Sequence, residues 1–82
     1  MSSYCGKFVR VAFNGKNKNG LNATEHLWLK VQAVHYEYVD TDTGDRLICC
    51  VENEPVLEYD PPLMFGSQVQ CLAKQVEDIL EN

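Results

Sequence analysis

Apolar and polar residues alternate with a period of two over much of this chain, and the longest such stretch runs from Glu25 to Asn53. Leu27, Leu29, Val31 and Ala33 share one side of an extended strand, and His26, Trp28, Lys30 and Gln32 share the other, because successive strand side chains point to opposite faces. The parity then slips, since Val34, Tyr36 and Tyr38 are bulky, spaced by two and even-numbered. One extra residue near Ala33-Val34, a β-bulge or sharp bend, would return them to the core side. Arg46 to Val51 is the return strand, and Asp40-Thr41-Asp42-Thr43-Gly44-Asp45 is the polar turn between them. This hairpin is the expected centre of the fold. Both faces of the return strand are apolar, with Leu47, Cys49 and Val51 on one and Ile48 and Cys50 on the other, which predicts cover on both sides.

On either side of the hairpin the pattern is shorter. Phe8 to Phe13 alternates as a first strand, Asn14-Gly15 ends it, and Lys16 to Gly20 reads as a polar loop. Glu52-Asn53-Glu54-Pro55 breaks the return strand, because proline lacks an amide donor and restricts the residue before it. Val56 to Tyr59 is expected as a short edge strand. Asp60-Pro61-Pro62 stops regular pairing, Leu63 to Gly66 makes an apolar turn, and Ser67 to Leu72 is the last strand with Val69 and Cys71 inward. From Ala73 to Leu80 the period changes: Leu72, Val76, Ile79 and Leu80 fall at helical spacings, which predicts one short helix that must dock to persist. The expected architecture is therefore mainly β, a five-stranded bent antiparallel barrel or half-barrel of the SH3-like class closed by one C-terminal helix. An open antiparallel sheet with that helix on one face is the alternative.

Length and composition narrow the class. Eighty-two residues make a single domain near the lower size at which one core offsets the entropy of folding. No apolar run approaches the ~20 residues of a membrane helix, and the first residues lack the apolar centre of a secretory signal, so a cytoplasmic location is expected. Asn22-Ala23-Thr24 fits a glycosylation sequon but reads as loop. The formal charge is −5, which disfavours nucleic acid, although Lys7, Arg10, Lys16 and Lys18 could form a local basic patch. Acid dominates the C-terminal part, where Lys74 alone opposes Glu52, Glu54, Glu58, Asp60, Glu77, Asp78 and Glu81. That polarity suits a basic protein partner or simply a solvated surface. Of the four cysteines, Cys49 and Cys50 are adjacent in a strand and point apart, so reduced, partly buried thiols are expected rather than a disulfide framework.

Several stretches together, Glu25 to Val31, Val51 to Val56, Phe65 to Val69 and Val76 to Ile79, resemble the YegJ-like bacterial family of domains of unknown function. The resemblance spans roughly Phe8 to Leu80. It implies a small bacterial domain, found alone or appended to others, and no activity to carry over. This chain departs from that pattern in its longer, more polar hairpin turn and in Pro61-Pro62.

Each candidate site has a structural counterpart. Trp28, the only tryptophan, is a binding anchor if exposed and part of a second small core if the C-terminal helix or the Asn53-Glu54-Pro55 loop covers it. That same loop is a functional corner or a structural one in which Asn53 bonds backbone groups. His26, His35 and the cysteines are metal-ligand types without ligand spacing, and the two histidines stand roughly 30 Å apart along an extended strand. A Cys–His nucleophile would need an accessible thiolate, whereas Cys49 and Cys71 alternate with core residues. The Asp40 to Asp45 turn imitates the start of an EF-hand loop, but its twelfth position is Val51 rather than glutamate. The functional expectation is a non-enzymatic, acidic protein-interaction module, in the manner of an inhibitor, immunity or anti-defence factor. It would bind through Trp28, Glu52, Asn53, Glu54, Glu58 and Asp60, with no catalytic residues, metal or cofactor and no membrane contact, as a monomer or an edge-paired homodimer. A nucleic-acid-binding barrel and a thiol enzyme are the other classes.

Overall fold

The computed structural model describes residues 4–35 and 45–80. Five strands form one antiparallel sheet: β1 (Phe8–Lys16), β2 (Asn22–His35), β3 (Arg46–Val51), β4 (Gln68–Leu72) and β5 (Val76–Leu80), in the order β4-β3-β2-β1-β5. The expected hairpin is β2 with β3, and β2 is the central strand. Its polar turn, with Tyr36 and Tyr38, lies outside the described residues except for Asp45. The parity slip has the expected cause. Val31 pairs with Cys49 but Ala33 pairs with Ile48, so Gln32 is the extra residue, and Val34 packs against the core as a result.

Among the described residues one face of the sheet carries the core. Val9, Val11, Leu27, Leu29, Val31, Leu47, Cys49, Val51 and Cys71 are buried, and every one is odd-numbered, as strand alternation requires. Tyr4, Phe13, Val34, Leu63, Val69 and Val76 pack around them from the margins and from the segment between β3 and β4. The two-sided cover expected for β3 is incomplete, because Ile48 and Cys50 on its outer face are only half-buried.

Three expectations are corrected. Ala73 to Leu80 is not a helix: Ala73–Gln75 is a single 3-10 turn and Val76–Leu80 is strand β5. A two-turn helix is marginal by itself, whereas β1 offers an open edge, against which Phe8 pairs with Leu80, Val9 with Ile79, Arg10 with Asp78 and Val11 with Val76. The fifth strand is accordingly β5 and not Val56 to Tyr59, which contributes only one bridge, Glu58 to Lys16. The first strand does not stop at Asn14-Gly15 but continues to Lys16. There the missing side chain of Gly15 permits close approach rather than a turn, since a Cβ would stand 2.8 Å from the Glu58 carbonyl oxygen and 2.8 Å from Tyr59 Cε1. The sheet is open at β4, and closure into a barrel is not seen. Among the described residues no helix is long and apolar enough to cross a membrane.

The segment from Glu52 to Ser67 is tied down at Glu25. Its carboxylate accepts the amide of Leu57 at 3.0 Å, the amide of Val56 at 3.1 Å and the Tyr59 hydroxyl at 2.7 Å. Partial burial pushes this carboxyl up, but the three donated hydrogen bonds together outweigh it and hold the group below its ordinary 4.5. Burial, with the hydrogen bond to Glu25, pushes the Tyr59 hydroxyl up. A lowered folded pKa contributes stability that is complete above the unfolded value and lost as pH falls through the folded one. Between about pH 5 and pH 3 the melting temperature of the wild type is therefore expected to fall more steeply than that of Glu25→Gln. Parallel slopes in thermal unfolding would show that Glu25 does not carry this linkage.

Candidate functional site

The outer face of the sheet is set by the same parity that buries the core. With Leu27 and Leu29 inward, Trp28 must point outward, and it is half-buried. Arg10 pairs with it on β1, and the guanidinium lies 5.9 Å from the ring centroid. On the other side β3 ends at Val51, so the Trp28 amide has no strand partner there. The Asn53 side-chain oxygen accepts that amide at 2.5 Å, and the Glu52 amide donates to the Trp28 carbonyl at 2.8 Å. Asn53 is thus a structural corner that holds the tryptophan backbone in place.

Around the ring, Phe8, Trp28, Glu52, Asn53 and Leu80 border an open hollow of about 230 Å³. Leu80 is 53% exposed. The Lys30 ammonium sits 5.8 Å from the Phe8 ring centroid. Below Trp28, Glu77 Oε1 is 2.6 Å from His26 Nδ1 and 3.6 Å from Arg10 Nε, which fastens β5 to β1 and β2. Among the described residues the buried Arg10 Nε atom has no hydrogen-bond partner, and the guanidinium makes the ring contact and the ion pair with Glu77.

The six expected site residues fall into two places. Trp28, Glu52 and Asn53 meet at the hollow, with exposed Glu54 following in the chain. Glu58 and Asp60 instead line an open groove of about 710 Å³ with Phe13, Gly15 and Lys16 of β1, Tyr59, Leu63, and Gln68, Val69 and Gln70 of β4. Glu25, which holds the loop between these two places, carried no local sign of its role because its partners lie 31, 32 and 34 residues downstream.

Among the described residues the thiols and imidazoles are not brought together. Cys49 and Cys71 are buried neighbours on the core face, while His26 is exposed on the outer face against Glu77. The contact with Cys71 together with burial pushes the Cys49 thiol well up, away from a nucleophilic thiolate. Cys50 pairs with Lys30, four residues along β2 from His26 and so roughly 13 Å distant. Exposed Cys5 should therefore react first with an alkylating reagent at neutral pH, and Cys49 and Cys71 only on unfolding. Rapid modification of either buried thiol in the native protein would overturn that order. Among the described residues no group of three His, Cys, Asp or Glu side chains is placed to hold a metal ion.

No family model, curated protein or solved structure matches this chain.

Proposed function

We infer that the chain is a cytoplasmic, non-enzymatic protein-interaction module that engages its partner through the outer face around Trp28. The observation that carries this reading is the pre-organised tryptophan: its backbone is held by Asn53 and Glu52, its ring is flanked by Arg10, and beside it Leu80 stands exposed over a hollow. A large aromatic fixed before contact forfeits little conformational entropy on binding, and tryptophan and arginine are both enriched among interface hot spots. Glu52 and Glu54 on the rim add negative charge, which suits a basic partner. Such a module can act as an inhibitor, immunity or anti-defence factor.

The nucleic-acid alternative is less favoured by the same geometry. Bases stack on open aromatic faces, whereas Arg10 and Lys30 lie over the Trp28 and Phe8 rings. A capture experiment separates the two readings. Tagged protein is incubated at low salt with lysate of its source cells, with and without nuclease treatment. A protein partner retained by wild type and lost with Glu54→Lys or Trp28→Ala is the expected result. Recovery that disappears on nuclease treatment would replace this function with nucleic-acid binding.

A further inference from the structure

Strand β4 ends the sheet, and the phasing of its hydrogen bonds shows which backbone groups it leaves over. The Val51 amide donates to the Ser67 carbonyl at 2.9 Å and the Ala73 amide to the Asp45 carbonyl at 2.7 Å. Paired residues of an antiparallel ladder alternate between bonded and non-bonded, so Val69 opposite Cys49 and Cys71 opposite Leu47 are the bonded pairs. The amides and carbonyls of Gln68 and Gln70 then point away from β3. Among the described residues no strand lies on that side. The next group in the same phase, the Leu72 amide, is taken by Gln75 Oε1 at 2.8 Å, so the open stretch is Gln68 to Gln70.

Proteins commonly protect such edges with charge or proline. Strand β5, the opposite edge, carries Glu77 and Asp78, but Gln68–Leu72 contains no charged residue and no proline. The open stretch borders the 710 Å³ groove, whose far wall is the end of β1 and the segment carrying Glu58 and Asp60. Both carboxylates are exposed, and the one basic side chain among the lining residues, Lys16, already donates to Asn22 Oδ1 at 2.8 Å. The groove is acidic beside the open, neutral edge of β4.

We propose that the β4 edge binds an extended, basic peptide segment of a partner protein, which adds as a sixth strand through the backbone of Gln68 and Gln70 and places lysine or arginine against Glu58 and Asp60. Main-chain hydrogen bonds supply the attraction and the carboxylates the selectivity. A second copy of this chain is the poorer occupant, since each copy carries −5 and the groove walls would repel. The site is separate from the Trp28 face and does not depend on it.

The test uses the isotope-labelled full chain and three blocked hexapeptides: alternating lysine and valine, alternating glutamate and valine, and the lysine peptide fully N-methylated, which has no amide donors. The lysine peptide is expected to shift the Gln68 and Gln70 amide resonances and slow their hydrogen exchange about tenfold, and the other two to do neither. The double variant Glu58→Gln, Asp60→Asn should weaken binding roughly fivefold at low salt. Gln70→Pro, which removes an outward amide and leaves the β3 ladder intact, should abolish it while thermal unfolding stays near that of the wild type. Resonance shifts confined to the Trp28 face, equal binding of the N-methylated peptide, or no binding at millimolar peptide would overturn the proposal. Concentration-dependent protection of Gln68 and Gln70 without peptide would assign the edge to a second copy instead.

Discussion

Leu29→Ala should destabilise the fold by about 3 kcal/mol, within the ~2–5 kcal/mol typical of such core truncations. Leu29 lies on the central strand, fully buried, paired with Val9 on β1 and Val51 on β3, both fully buried as well. Three adjacent strands hold the walls of the resulting cavity apart through their ladders, so the site has little room to collapse. A domain of this length has a total stability of roughly 4–12 kcal/mol. The melting temperature should therefore drop by about 12–24 °C. Leu80→Ala, at a position 53% exposed, is the control and should change stability by less than about 0.5 kcal/mol. A Leu29 variant that melts like the control would mean that the core does not lie on the odd-numbered face of β2.

Gly15→Ala should cost about 2 kcal/mol by a different route, overpacking against backbone. The added Cβ would fall 2.8 Å from the Glu58 carbonyl oxygen, and a carbonyl cannot turn aside as a flexible side chain would. Relief requires that the segment move, which breaks the paired bonds between Lys16 and Glu58, 2.9 and 2.7 Å long, and disturbs the edge-on contact of Tyr59 with Phe13. The smaller entropy of the unfolded alanine chain offsets less than about 1 kcal/mol of this. Faster amide exchange at Lys16 and Glu58, with Leu29 unchanged, distinguishes loss of the docked segment from a general loosening. An unaltered melting temperature would contradict the close approach.

The elements read correctly in advance were those whose signal is local and repeated. In β2 and β3, side-chain alternation persists over enough residues to set both register and inward face, and the break in parity at Ala33-Val34 located the bulge within one or two residues. The C-terminal stretch misled because an edge strand against one neighbour buries little: in β5 only Val76 is even half-buried. With no strong inward face, Leu72, Val76, Ile79 and Leu80 fit a helix as well as a strand. What decides between them is the open edge of β1, more than 60 residues earlier in the chain. Gly15 was ambiguous in the same way, since a glycine marks a turn or a close approach depending on what arrives from elsewhere. Trp28 stands out as a candidate by residue type and strand parity, and Asn53 by its place in the Asn53-Glu54-Pro55 corner, where it bonds the backbone. That Glu58 and Asp60 belong to a different groove depends on how the loop crosses to β1, which Glu25 and Gly15 determine through contacts distant in sequence.

The most direct test of the functional account is the affinity of the captured partner for the wild type, Trp28→Phe and Trp28→Ala, measured calorimetrically alongside thermal unfolding of each. If Trp28 is the anchor, Trp28→Ala loses about 2 kcal/mol of binding, roughly 30-fold. Trp28→Phe, which keeps an aromatic body in the hollow, should lose less, and both variants should remain folded at the temperature of the titration. Equal affinities for all three proteins would contradict the account and move the binding surface away from the outer face.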